Sequence, residues 1–235
     1  MLRRRASARK LLPTLIPLVA ALGAAAAALM GTGCTSRPPE IMRVFHQINY
    51  VRDPAENRIV QKLSVHVVAD DPEGRDDLAA LYLINDEAEL FWTVESGGWL
   101  EREGEGSTWI GSNGFSTPDG GDLPNGEYRV LLADMSGETA EATFRLEQQS
   151  VDRSQLRFPG AAIREGTITV TGPYAVAEIW VYDAEFQRSF RVTQSGLALS
   201  RIYAALPELP QSFTFYTYVF DSRREVGLVS GPYSS

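Results

Sequence analysis

The chain is poor in the residues that carry most site chemistry. It has one cysteine and two histidines in 235 residues. That excludes an internal disulfide and a Cys/His zinc site, and it leaves little imidazole for triad chemistry. Positive charge is also scarce: 22 Lys+Arg stand against 30 Asp+Glu, a formal net charge of −8. Such a balance argues against nucleic acid as a partner. No G-x-S-x-G, no H-E-x-x-H and no phosphate-cradling glycine loop occurs in the sequence. His46 and His66 sit singly in alternating segments, where a histidine is ordinarily structural. The chain is therefore read as a non-enzyme without a cofactor. What is present, 22% charged and 44% hydrophobic residues, is the balance of a folded protein rather than a disordered one.

The first forty residues form a targeting device. Arg3, Arg4, Arg5, Arg9 and Lys10 make a basic start, and residues 11–33 carry no charge. A basic region, an apolar stretch and a small-residue end are the pattern of an export signal, here 1–33. The only cysteine, Cys34, closes that stretch after Gly31-Thr32-Gly33. This resembles a relaxed lipobox of bacterial lipoproteins, with Thr32 and Gly33 as the small residues and Leu29 and Met30 as the bulky ones. The resemblance implies that Cys34 is lipidated and the signal removed. Each buried acyl CH₂ then contributes ~0.8 kcal/mol, and two chains already hold stably. The alternative is an uncleaved single-pass anchor, against which Pro13 and Pro17 and the run of alanines stand. Residues 34–40 would be a lipidated tether stiffened by Pro38-Pro39. With the five basic residues gone from the 22, 17 Lys+Arg face 30 Asp+Glu, a net −13. The mature part is expected to stay tethered in the bacterial cell envelope, periplasmic or at the cell surface, and not to lie flat on anionic lipid.

Beyond the tether the hydrophobic period is two. Leu63, Val65 and Val67 alternate with Ser64, His66 and Val68, and Tyr128, Val130 and Leu132 alternate with Arg129, Leu131 and Ala133. Residues 179–182 are apolar on both faces. Such segments, rich in Val, Thr and aromatics with Gly, Pro, Asn and Asp between them, read as strands and turns. No helical period of ten or more residues occurs after the signal. Many short strands of this kind predict an all-β fold of sandwich type.

The turn Leu123-Pro124-Asn125-Gly126-Glu127-Tyr128 resembles the L-P-x-G-x-Y of fibronectin-III and related immunoglobulin-like domains. That resemblance implies a tyrosine corner, with the Tyr128 hydroxyl bonded back to nearby backbone. A fainter second copy runs from Leu209-Pro210 to Asp221 and Glu225, without the corner tyrosine. Two immunoglobulin-like β-sandwiches are thus expected, over 41–150 and 151–235, divided in the polar run 148–155. The aromatic strand 213–220 would place one face in its own core and the other against the first domain.

Two places invite a ligand. The span 97–121 is glycine-rich and longer than its counterpart in the second copy, and long loops on a sandwich are where binding resides. Trp92, Trp99 and Trp109 lie in or beside it and are the candidate ligand-binding residues; the competing reading is that they are core plugs. The run 70–77 holds Asp70, Asp71, Asp76 and Asp77, oxygen ligands suited to calcium. Their spacing does not match an EF-hand and Asp-Pro-x-Gly is an ordinary turn, so the run is read as a turn with no metal expected, and calcium is the alternative. The function expected is a non-catalytic envelope lipoprotein, a binding or structural module with a protein or glycan partner. An accessory subunit of an envelope complex is the alternative.

Overall fold

The computed structural model describes residues 37–183, 186–193 and 195–235. The expected signal over 1–33, the expected lipidation at Cys34 and the first part of the expected tether lie outside the described residues.

Alternating residues pair into long antiparallel ladders from the start. β1 (Glu40–Asp53) and β2 (Arg58–Asp70) form a hairpin in register Gln47↔Ser64, Ile48↔Leu63 and Asn49↔Lys62. Its turn is held by Asp53, whose carboxylate accepts the Ala55 and Glu56 N–H groups at 2.8 and 3.1 Å. Asn57 there adopts the left-handed conformation at φ 49°, which asparagine tolerates well. Directly opposed residues share a face. One face of this hairpin is therefore apolar (Ile48, Leu63, Val65) and the other carries Gln47, Asn49, Ser64 and His66.

The first half continues with β3 (Leu78–Asn85), β4 (Leu90–Glu95), β5 (Leu100–Gly104), β6 (Ser107–Phe115), β7 (Gly126–Asp134) and β8 (Thr139–Leu146). The second half supplies β9 (Gly160–Arg164), β10 (Thr167–Thr171), β11 (Val176–Asp183), β12 (Phe186–Thr193), β13 (Leu197–Ala198), α1 (Leu199–Ala205), β14 (Thr214–Asp221) and β15 (Val226–Ser234). Among the described residues the strands fall into three sheets. Eight close into a barrel in the order β1-β15-β14-β11-β12-β5-β6-β2; the others form β4-β3-β7-β8 and β13-β10-β9. The fold is all-β.

Each half of the chain thus builds one four-stranded wall of the barrel and one outer sheet. The two walls meet at parallel seams, β1 with β15 (Asn49↔Gly227, Val51↔Val229) and β5 with β12 (Glu101↔Phe186). The expected boundary near residue 150 does not separate two compact units: Arg37–Ser235 is one. The reason lies in the polar faces of the walls. Alternation gives each wall an apolar face and a polar face, and the polar faces turn toward each other rather than toward bulk water.

The apolar faces point outward and are covered. Ile48, Leu63, Val65 and Val67 of the first wall share a buried core with Leu81, Leu83, Val130 and Leu132 of β3 and β7. The rings of His46 and Tyr128 stack on Phe144 at centroid distances of 4.2 and 5.4 Å. Ile179, Val181, Phe215 and Leu228 of the second wall belong to the same buried set as Ile168 of β10 and Ile202 of α1. Thr217, on the outward side of β14, donates to the Pro159 carbonyl at 2.8 Å.

The turn at 123–128 behaves as its resemblance implies. The Tyr128 hydroxyl donates to the Pro124 carbonyl at 2.9 Å, and burial pushes this phenol up to about 12. The second half has no tyrosine at the matching position, yet Tyr203 of α1 makes an analogous tie, donating to the Gln211 carbonyl at 2.5 Å. The span 97–121 departs from expectation. Its glycines do not make a long binding loop: most of the span is the β5–β6 hairpin, which completes the barrel.

Candidate functional site

The residues enclosed by the barrel are the ones a small β-protein would ordinarily show to solvent. A single chain of hydrogen bonds crosses them. Gln47 Nε2 donates to the Tyr218 hydroxyl and to Asn49 Oδ1, both at 2.9 Å. Asn49 Nδ2 donates to Ser64 Oγ at 2.7 Å, and Ser64 Oγ donates to Asn113 Oδ1 at 2.7 Å. Asn113 Nδ2 then donates to Gln187 Oε1 at 2.6 Å. The chain runs from β14 through β1, β2 and β6 to β12, so it ties both halves together across the lumen. The close approach needs a bare backbone at Gly227: a Cβ there would lie 1.9 Å from Asn49 Oδ1 and 2.6 Å from Gln47 Nε2.

Aromatic rings line the second wall of the same space. Trp180 stacks on Tyr218 with centroids 4.3 Å apart, and its indole N–H donates to Glu178 at 3.0 Å. Tyr182 meets Tyr216 edge-on at 5.7 Å. Register explains the grouping: Glu178, Trp180 and Tyr182 alternate inward on β11, opposite Tyr218 and Tyr216 of β14.

The space divides at Asn49, Asn113 and Trp180, which border both parts. On one side is a cavity of about 240 Å³ lined in part by His66, Arg102, Glu178, Gln187 and Tyr218. On the other is an open cleft of about 830 Å³ lined in part by Lys62, Ser112, Tyr182 and Tyr216. Two buried nitrogens on the smaller cavity, His66 Nε2 and Gln187 Nε2, have no hydrogen-bond partner among the described residues. Leaving such a group unpaired costs about 1–3 kcal/mol.

The electrostatics keep the lumen neutral at its centre. Burial, with a further push from Arg102, lowers the His66 imidazole to about 4. Burial pushes the Tyr182 phenol up to about 12 and raises Tyr218 as well, the latter partly offset by its bond from Gln47. At neutral pH these groups are uncharged donors and acceptors. Formal charge is carried by Lys62 at the cleft and by Arg102 and Glu178 at the cavity.

None of the three tryptophans or four acids singled out from the sequence lines the cleft or the smaller cavity, although Gly98 and Gly114 of the 97–121 span border the cleft and Trp109 borders a neighbouring cavity that shares His66 and Arg102 with the smaller one. Trp99 is 6% exposed and belongs to the core. Trp92 is half-buried, meets Phe115 edge-on at 6.1 Å and donates its indole N–H to the Ser116 carbonyl at 3.0 Å. Trp109 is half-buried on β6, with the Arg43 guanidinium 4.8 Å over its ring and Phe45 against its edge. The three do not share one surface cavity: Trp99 and Trp109 border different ones. Of the four acids, Asp71 and Asp77 come together with a third, Asp134, while Asp70 and Asp76 stand exposed outside that group. Loss of hydration, then the charges of Asp71 and Asp134, hold the Asp77 carboxyl above the usual carboxylate range.

Comparison with known proteins adds little. No family model matches the chain, and no curated protein matches it. A solved structure described as "Structural insight into host cell surface retention of a 1.5-MDa bacterial ice-binding adhesin" aligns over 86% of this chain and 64% of that one. The identity is 12% and the TM-score 0.26. A likeness of that size carries no shared activity. No helix among the described residues is long and apolar enough to cross a membrane.

The lumen itself was missed by sequence reasoning, although one signal was visible. Residues 179–182 are apolar on both faces, and a strand whose second face carries Trp and Tyr needs something to cover that face.

Proposed function

We propose that this chain is a non-catalytic binding module of a bacterial cell envelope, held to the membrane through a lipid on Cys34. In this reading its ligand is a glycan, seated in the cleft and reaching toward the barrel lumen. The observation that carries it is the pair of buried, unpartnered nitrogens, His66 Nε2 and Gln187 Nε2, on one cavity beside a wall of stacked aromatics. Concave sites with apolar rings and a few convergent neutral polar groups suit small ligands. A hydroxyl-rich ligand supplies both donors and acceptors to amides, and its C–H faces lie well on Trp and Tyr. The anchor rests on the basic start, the uncharged run and the position of the only cysteine. The non-catalytic reading is supported by both histidines: burial holds His66 neutral and a poor proton carrier at neutral pH, and His46 is stacked on Phe144.

The test is binding of the full chain to an array of envelope glycans, with Tyr216→Ala and Lys62→Ala alongside. The two substitutions are chosen because both side chains are only half-buried and line the cleft. Retention of a glycan by the parent, reduced about tenfold or more in either variant, supports the reading. Absence of any retained glycan, or full binding by both variants, refutes it. A protein partner is the second reading, favoured by Phe91, which is 59% exposed and packs on Tyr82 at 5.6 Å on the outer sheet. Stoichiometric co-purification abolished by Phe91→Ser would favour that alternative.

A further inference from the structure

Three carboxylates from three places in the chain meet where the β2–β3 loop touches the β7–β8 hairpin. Asp71 follows β2, Asp77 precedes β3 and Asp134 ends β7. One carboxylate oxygen from each lies within 4.8 Å of the others. Backbone bonds hold the two segments in place: Met135 N–H donates to the Asp77 carbonyl at 2.8 Å, and Gly74 N–H donates to the Asp71 carbonyl at 3.0 Å.

The arrangement is more than an acidic surface. Asp71 is 7% exposed and Asp134 is 3% exposed. Both carboxylates accept hydrogen bonds from their own loops. Asp71 Oδ1 accepts the Glu73 N–H at 2.8 Å, and Asp134 Oδ1 accepts the Glu138 N–H and the Ser136 hydroxyl, both at 2.8 Å. Asp71 Oδ2 is sealed from solvent and has no hydrogen-bond donor among the described residues. It is the oxygen this residue has left for the cluster. Arg75, the one basic residue in loop 71–77, pairs instead with Glu101 at 2.7 Å. A buried carboxylate oxygen without a donor is costly, and a cation on it removes the cost.

We propose that Asp71, Asp77 and Asp134 form a calcium site that clamps the β2–β3 loop to the β7–β8 hairpin. The donor set is all hard oxygen. Calcium bonds are about 2.3–2.6 Å, so ligands across one ion stand up to about 5 Å apart, which accommodates the observed spread; magnesium bonds of about 2.0–2.1 Å demand a tighter octahedron. Water and backbone carbonyls complete such a shell. Calcium modules outside the cell bind at about 10⁻⁴–10⁻³ M, which suits a protein tethered in the envelope. None of the three carboxylates lines the cleft or the smaller cavity, and the site does not depend on a glycan.

The experiment is calorimetric titration of calcium into the full chain after treatment with EDTA, paired with thermal melting. One calcium per chain is expected. At about 100-fold excess over Kd the midpoint rises by roughly 5–10 °C, taking a domain of this size. Asp77→Asn, at the least buried member, should lose the heat and the shift while the chain still melts cooperatively. Glu73→Gln, an exposed acid of the same loop outside the trio, should keep both. Asp71→Asn and Asp134→Asn are tested by the same melt if they fold. No calcium-dependent heat or shift in the parent, wild-type binding by Asp77→Asn, or an equal response to magnesium overturns the proposal.

Discussion

Substitution of Gly227 by alanine probes the seam that joins the two walls. The added methyl would sit 1.9 Å from Asn49 Oδ1, 2.6 Å from Gln47 Nε2 and 2.8 Å from Tyr218 Cε2. None of these can retreat freely. Asn49 is tied to Ser64 at 2.7 Å, and Gln47 is tied to Tyr218 at 2.9 Å. Overpacking costs about 1–3 kcal/mol, and a buried amide left without its partner costs about 1–3 kcal/mol more. Together they predict a loss of roughly 2–6 kcal/mol, or roughly 4–24 °C in Tm for a domain of this length. Urea and thermal unfolding followed by circular dichroism measure it. Gly97→Ala is the control, since its Cβ meets nothing within 4 Å, and should stay within about 0.5 kcal/mol of the parent. Adding Asn49→Ala to Gly227→Ala should recover part of the loss, giving a non-additive cycle. If Gly227→Ala unfolds within about 0.5 kcal/mol of the parent, the lumen is not packed as described.

Further outcomes follow from the same geometry. His66 titrates near 4 in the folded chain against about 6.5 unfolded, so the unfolded state binds more protons between those values. Stability is therefore full above about pH 6.5 and falls as pH drops toward 4, by roughly 3 kcal/mol from this group. His66→Gln should flatten that slope in pH-dependent urea unfolding; an unchanged slope would remove His66 as its source. Tyr128→Phe deletes the bond to Pro124 and should cost about 1 kcal/mol, read by the same unfolding assay, with no change expected in ligand binding.

The strands were legible because period-two alternation is a direct consequence of the pleat. The tyrosine corner was legible because Leu123-Pro124-x-Gly126-x-Tyr128 brings a hydroxyl over a carbonyl four residues back. The lumen was not legible from the same pattern. Gln47, Asn49, Ser64 and His66 look like a solvent face, because alternation tells that a strand has a polar side and not whether that side meets bulk water or another wall. The missing information is the parallel pairing of β1 with β15, which joins residues near 50 to residues near 228. The same distance hid the calcium candidate: Asp71 and Asp77 stood in one visible run, but Asp134 reaches them only through the pairing of β3 with β7. The glycines of 97–121 misled for a different reason. At Gly111 a Cβ would lie 2.0 Å from the Val65 carbonyl oxygen, so that glycine serves strand contact inside the barrel and not loop freedom.

The most direct measurement of the binding account is nuclear magnetic resonance of the labelled chain titrated with a glycan retained on the array. The account predicts saturable shifts of the Trp180 indole N–H, the Asn113 and Gln187 side-chain amides and the His66 ring. Shifts confined to Trp109 or to Phe91 and Tyr82 on the outer sheet, with the barrel interior unchanged, would contradict it.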